Sequence, residues 1–223
     1  MAGNIWTDRL EKTKRKKMND TNNTFDFDHP PADPVAACAQ WFEQAKKLPL
    51  ANPNAMTLST VCADGYPSSR TVLLRGFDDH GAVFYTNRES RKALALEAHP
   101  RAALLFHWDE HPIGRQINIE GAVTHTSEAQ SDAYWLTRRR ENQISAWASA
   151  QSQPIANRAA MQQAQDAIEA KFAGQNVPRP PHWGGYRVAL ERIELWQGNE
   201  FRSHDRVVYT RDGSGWNIQR LCP

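Results

Sequence analysis

The order of strand-forming and helix-forming runs constrains this chain more than any other feature. Five β-rich segments, "AMTLSTVC", "SRTVLLRGF", "AVFYTN", "AALLFHW" and "RQINIEGAVTH", precede the main helical region. Two more, "YRVALERIELWQG" and "RVVYTRDGSGWNIQRL", return at the C-terminus. Branched and aromatic side chains suit a pleated, half-buried surface. "ADGYP" and "DDHG" supply turn chemistry between runs, so the first three strands are expected to form an antiparallel meander, and the C-terminal strands are joined through a loop and turn at "RDGSG". Strands at both ends with helices between them predict a mainly β, α+β fold. Its expected form is a closed or half-closed barrel with helices packed outside.

Helix signals punctuate this pattern. Asp33 as N-cap and Pro34 at the first helical position open a helix to about Lys47, with Val35, Cys38, Trp41, Phe42 and Ala45 on one face. "SRKALALEAHP" predicts a short helix that Pro100 ends. "SEAQSDAYWLTRRRENQISAWAS" reads as a helical region, and a further helix spans about Ile155 to Phe172 before "VPRPPHWGG" breaks the pattern. Residues 1–33, with the basic run "KTKRKK" and a polar stretch after it, are expected to be a poorly ordered arm. Residues 34–223 are expected to form a single domain.

Bulk properties exclude several classes. A formal charge of +2 from 27 basic and 25 acidic residues gives no global field for nucleic acid or membrane. No apolar run approaches the roughly 20 residues that span a bilayer, and no signal-peptide pattern appears. Cys38, Cys62 and Cys222 are odd in number and lack metal-ligand spacing, which suits free thiols in a reducing cytoplasm. His107 and His111 in "HWDEH" flank acids, but on a strand and turn rather than a helix, so a metal site is not expected. No dinucleotide fingerprint, P-loop or nucleophile elbow is present.

Four constellations carry chemistry. Arg91 and Lys92 lie in a first helical turn, where cations oppose the macrodipole. With Arg70, at the mouth of an alternating strand, they make an economical phosphate site, because guanidinium forks and N–H groups converge on one dianion. The alternative is that they are exposed and mildly unfavourable, by a few tenths of a kcal/mol. In "GRQINIEGAV", Gln116, Asn118 and Glu120 share a strand face that either meets water or hydrogen-bonds a heterocycle. "WQGNEFRSHDR" concentrates Trp196, Arg202, His204 and Arg206 in one loop region that offers stacking, anion donation and a titratable ring. Tyr134 and Arg138 stand at i and i+4 on one helix face, and "AQSQ" beyond that helix offers small donors and amides.

Collinear segments give these constellations a context. "RTVLLR", "FYTNRESRKA", "RQINIEG", "QISAWASAQS", "WGGYRV", "IELWQG", "RSHDR" and "RLCP" run in order through most of the chain. Together they resemble the pyridoxamine 5′-phosphate oxidase family. The resemblance implies an FMN-binding split β-barrel, a homodimer with each flavin between two subunits. It implies that Arg70, Arg91 and Lys92 hold the FMN phosphate and that Thr71, Val72, Leu73, Leu74 and Arg75 run beside the flavin. Tyr85 and Thr86 would contact ribityl and phosphate, and Gln116 the isoalloxazine. Gln151 and Ser152 would come from the partner chain, and Trp196 and Arg206 complete the cofactor site. Substrate phosphate would fall to Tyr134 and Arg138, with Arg75, Asn142 and Ser203 nearby. Arg202 and His204, the catalytic pair, would lie over the pyridine ring.

The activity so implied is hydride transfer from C4′ of pyridoxamine or pyridoxine 5′-phosphate to FMN. Pyridoxal 5′-phosphate forms, and O2 is reduced to H2O2. Departures lie on the substrate side: the family usually has Lys at Arg75, Ser at Asn142, Pro at Arg139 and Leu at Ser203. Its N-terminal Arg- and Tyr-containing segment has no match in residues 1–33, and the "DEHPIG" loop is longer than usual. These departures keep two alternatives open: an oxidase of another reduced heterocycle, of the phenazine-biosynthesis type, and a non-catalytic flavin- or pyridoxal-phosphate-binding protein.

Overall fold

The computed structural model describes residues 25–109 and 114–223. Helix α1 (Pro34–Ala45) leads into β1 (Ala55–Val61), β2 (Pro67–Leu73), β3 (Gly76–Asp78) and β4 (Gly81–Asn87). Helix α2 (Arg91–Ala98) is followed by β5 (Arg101–Trp108) and β6 (Arg115–His125). Three helices, α3 (Glu128–Leu136), α4 (Arg140–Ala148) and α5 (Arg158–Lys171), precede β7 (Trp183–Val188), β8 (Arg192–Gln197), β9 (Asp205–Asp212) and β10 (Gly215–Arg220). The strands form one ten-stranded antiparallel sheet. Its main path is β10-β9-β8-β6-β5-β1-β2, and β7 and β4 branch from β6 to curl the sheet into a half-barrel.

Strand β6 makes the curl possible. Its first half, Arg115 to Glu120, pairs with β8, and its end, Val123 to His125, pairs with β7. Gly121 lies at the changeover, where a Cβ would run into the Ala189 carbonyl. Only glycine lets two backbones come that close.

Three expectations about the elements need correction. The meander is broken, because "SRTVLLRGF" is two strands rather than one. The Leu74 amide donates to Asn54 O (2.9 Å) and the Arg75 amide to Val83 O (2.8 Å), so the chain changes partners at this bend. Each C-terminal run is likewise two strands, giving β7 to β10. The helical region divides in two because Thr137 Oγ1 donates to the Tyr134 carbonyl and Arg139 is extended. The N-terminal boundary also moves. Phe27 is buried, Phe25 packs edge-on against Trp41 (5.9 Å), and Asp28 pairs with Arg220 (2.6 Å). Residues 25–33 therefore belong to the folded body, whereas "KTKRKK" lies outside the described residues.

Helix α1 forms as its sequence predicts. The Asp33 carboxylate accepts from the Val35 amide (2.9 Å), Pro34 follows, and Cys38, Trp41, Phe42 and Ala45 are buried. Phe42 meets Phe77, Phe106 and Trp108 with ring centroids 5.0, 4.8 and 5.8 Å away, which anchors the helix on the sheet. A smaller core of Trp135, Ile144, Phe172, Val177 and Trp183 sits beneath the helices.

Candidate active site

The cation group predicted from the sequence assembles around the start of α2. Arg70 lies in the middle of β2, not at its mouth. Its guanidinium donates to Thr60 Oγ1 (2.8 Å), Ser68 Oγ (2.7 Å) and the Leu58 carbonyl (3.2 Å). Lys92 Nζ donates to Gln151 Oε1 (2.6 Å), Thr86 Oγ1 (3.1 Å) and Ser90 Oγ (3.1 Å). Arg91 reaches the Cys62 sulfur at 3.7 Å. All these partners are neutral. Among the described residues no carboxylate pairs with Arg70, Arg91 or Lys92.

That imbalance is visible in the proton affinities. Burial, and then the charge of Arg70, pull Lys92 down to about 8. Burial and the neighbouring Arg91 also push Arg70 down. Ser90 is fully buried at the N-cap, but its hydroxyl donates to the Asn87 carbonyl (2.7 Å) and makes no side-chain cap. The first-turn amides of α2 thus remain available beside three uncompensated cations. This donor set fits a phosphate dianion.

Gln151 reaches this cluster from within its own chain. The resemblance implies instead that it comes from the partner chain. Thr86 joins the same cluster, while Tyr85, its neighbour on β4, faces the other way and stacks on Tyr134 (4.2 Å) and Trp183 (5.4 Å). Ser152 follows Gln151, exposed, with a left-handed φ of 74°.

A second group gathers at the junction of α3 and α4. Arg138 lies over the rings of Trp183 (4.9 Å) and Trp135 (5.5 Å) and donates to the Asn142 carbonyl (2.9 Å). Its Nε is buried and has no partner among the described residues. Arg75 lies 5.7 Å from the Tyr134 ring centroid, close enough that its charge helps to lower the proton affinity of Arg138, after burial. Two guanidiniums, a phenol ring and an orphaned N–H again describe an anion site.

A third group lies on a different face of the sheet. Residues directly opposite one another share a face, and neighbours along a strand alternate. Arg70 is opposite Leu58, Leu58 opposite Leu104, and Leu104 opposite Ile119, so Arg70 belongs to the core face. Val72 and Leu74 share that face and pack on the core, whereas Thr71 and Leu73 alternate outward. Gln116 is an odd number of residues from Ile119 and therefore faces outward. Trp196 is opposite Gln116 and Arg206 is opposite Trp196. Arg206 pairs with Glu194 (2.7 Å) and donates to the Cys222 carbonyl (3.1 Å). His204 lies 4.7 Å from Trp196, and its Nδ1 accepts from the Asn199 amide (3.1 Å). Arg202 and the 96 % exposed Phe201 both have left-handed backbones, φ 61° and 56°. Strain of this kind in two non-glycine residues marks a loop shaped for more than chain reversal.

Sequence reasoning missed the residues that shape these groups. Thr60 and Ser68 hold Arg70, and Trp183 supports both Tyr134 and Arg138. Inward-facing hydroxyls beside Arg70 in the β1–β2 hairpin were the available signal for the first two. The His107–His111 reading ends at a residue outside the described set. Among the described residues no group of three metal-ligating side chains occurs, and no helix is long and apolar enough to cross a membrane.

Known proteins resemble this chain over most of its length. Residues 42–172 match the family described as pyridoxamine 5′-phosphate oxidase, and residues 183–223 match the pyridoxine 5′-phosphate oxidase C-terminal dimerisation region. The pyridoxine/pyridoxamine 5′-phosphate oxidase of Rubrobacter xylanophilus is 52% identical over 191 residues, covering 86% of this chain and 87% of that protein. The oxidase of the same name from Myxococcus xanthus is 50% identical over 193 residues, covering 86% and 93%. Among solved structures, PhzG from Burkholderia lata 383, in complex with tetrahydrophenazine-1-carboxylic acid, superposes with a TM-score of 0.83. It is 31% identical, covering 91% of this chain and 98% of that one. A pyridoxamine 5′-phosphate oxidase-related, FMN binding protein from Nostoc punctiforme shares the fold, with a TM-score of 0.69 at 18% identity, covering 87% and 100%. With the family matched through most of its length and its split-barrel fold in place, this chain belongs to the pyridoxamine 5′-phosphate oxidase family, a family of flavin-dependent oxidoreductases.

Proposed function

We propose that this protein oxidises pyridoxamine or pyridoxine 5′-phosphate to pyridoxal 5′-phosphate with FMN as cofactor and O2 as terminal acceptor. The observation that carries the reading is the pair of anion sites, one at Arg70, Arg91 and Lys92 and one at Arg75, Tyr134 and Arg138. Cofactor and substrate each bear a phosphate, and each phosphate has a cationic site. When bound, FMN supplies the two-electron acceptor for the hydride leaving C4′. The chain's own residues do the rest. Lys92, Arg91 and Arg70 neutralise the cofactor phosphate, and Thr86 and Gln151 orient Lys92. Arg138 and Arg75 fix the substrate phosphate against the Tyr134 ring. Arg202 and His204 orient the pyridine ring, with His204 held by the Asn199 amide and Trp196.

The site requires two copies of the chain in this reading. Gln116, Trp196 and Arg206 lie on the sheet face opposite Arg70 and three to five strands away, roughly 14 to 24 Å at ordinary strand spacing. One flavin touching both groups has to take them from different protomers. Trp196 and Arg206 lie within the segment that matches the dimerisation region. An isologous dimer would then hold two equivalent sites.

The second reading, oxidation of another reduced heterocycle, is favoured by the PhzG likeness and by Arg75 and Asn142. Peroxide release from holoenzyme given pyridoxamine 5′-phosphate separates the two. Rapid turnover supports the first. No peroxide from either B6 phosphate, with peroxide from tetrahydrophenazine-1-carboxylic acid, supports the second.

A further inference from the structure

The Pro-rich segment before β7 contains a partly buried cation that the proposed reaction does not use. Arg179 is only 12 % exposed in its side chain. It donates through Nε to Asp132 (2.6 Å), through Nη2 to Glu128, and through Nη1 to the Trp183 carbonyl (2.6 Å). Glu128 and Asp132 are one turn apart on α3, and Trp183 opens β7. Arg88, from the end of β4, adds a second bond to Glu128 (3.0 Å). One guanidinium thus ties the start of α3 to the start of β7.

Those two elements carry the substrate-anion site. Tyr134 lies near the far end of α3 and Arg138 two residues past it, and the Trp183 ring lies parallel to Tyr134 (10°) and 4.9 Å beneath Arg138. A shift of α3 along β7 would slide Arg138 off that ring and turn Tyr134 away from Arg75. We propose that Arg179 is a positioning residue for the substrate phosphate, acting through Glu128, Asp132 and the Trp183 backbone to set Arg138 and Tyr134. Lysine cannot replace it, because a single ammonium does not bridge two carboxylates and a carbonyl in one plane.

This inference rests on the proposed B6-phosphate reading. It is tested on FMN-loaded protein with Arg179→Lys, Arg179→Ala and Asp132→Asn. KM for pyridoxamine 5′-phosphate is compared with kcat, and affinity for pyridoxal 5′-phosphate is read from its perturbation of the flavin spectrum. Positioning predicts that KM and the product Kd rise together on the order of tenfold in Arg179→Lys, the size of one weakened charge-assisted hydrogen bond. Flavin content and kcat stay near wild type. Asp132→Asn should shift both constants in the same direction, although it removes a negative charge near the anion. If charge alone mattered, Arg179→Lys would be silent and Asp132→Asn would tighten binding, and either result overturns the proposal. Equal losses of melting temperature, flavin and kcat across the set would make Arg179 merely structural and also overturn it. Wild-type protein that ignores both B6 phosphates would instead sink the functional reading.

Discussion

Lys92 is the residue on which the cofactor site turns. It is held at about 8 by burial and Arg70, yet must be protonated to pair with a phosphate whose second proton leaves near 6 (about 6 in phosphomonoesters). FMN affinity should therefore peak between about pH 6 and 8 and fall by up to about tenfold per unit above that. The folding equilibrium of the cofactor-free chain should respond in the opposite sense. Between about 8 and 10 the unfolded chain keeps a proton on this amine that the folded chain has lost, so stability rises with pH. Flavin fluorescence quenching and urea unfolding at pH 7 and 9 measure the two, and Lys92→Met should flatten both. Arg202→Ala should behave differently. It leaves the phosphate cluster intact, so FMN content should hold while kcat falls by two or more orders of magnitude, the scale of a lost positioning or charge-stabilising group. Full turnover in Arg202→Ala would remove that side chain from the reaction.

At the scale of elements, what the sequence discloses follows the range of the interaction. The α1 cap, the alternation in β2 and β6, and the cations opening α2 are local properties, and each was readable from a few residues. The partner change at Leu74 and Arg75 was not, because its cause is Val83 on another strand. Nor was the outward row of Gln116, Trp196 and Arg206, which exists only once β6, β8 and β9 are in register. The contact of Gln151 with Lys92 was hidden for the same reason, since it spans 59 residues of sequence. The segment before α1 looks polar because its two aromatic residues, Phe25 and Phe27, are isolated among polar ones, and their burial depends on packing against each other and, for Phe25, against Trp41. Phe27→Ala should destabilise the fold by about 3 kcal/mol, as expected for a buried ring. Denaturant unfolding measures this, and a change under ~0.5 kcal/mol would return those residues to the unordered arm.

The whole molecule explains why the site groups lie on two faces of one sheet. On the proposed reading, a half-barrel with cations on its core face and an outward Gln116–Trp196–Arg206 row becomes a complete site when a second copy supplies the other half. Mixing two disabled proteins tests this. Lys92→Ala chains and Trp196→Ala chains, each nearly inactive alone, should recover about a quarter of wild-type activity after subunit exchange. Half of the dimers are then mixed, and each mixed dimer holds one intact site of two. No recovery after verified exchange would place all the groups of one site in one chain.

The most direct measurement is the visible spectrum of the FMN-loaded protein, recorded without oxygen before and after adding pyridoxamine 5′-phosphate. The yellow absorbance should bleach by one equivalent of substrate per flavin and return on admitting air. A flavin that stays oxidised with both B6 phosphates, in protein that has retained its FMN, would contradict the assignment.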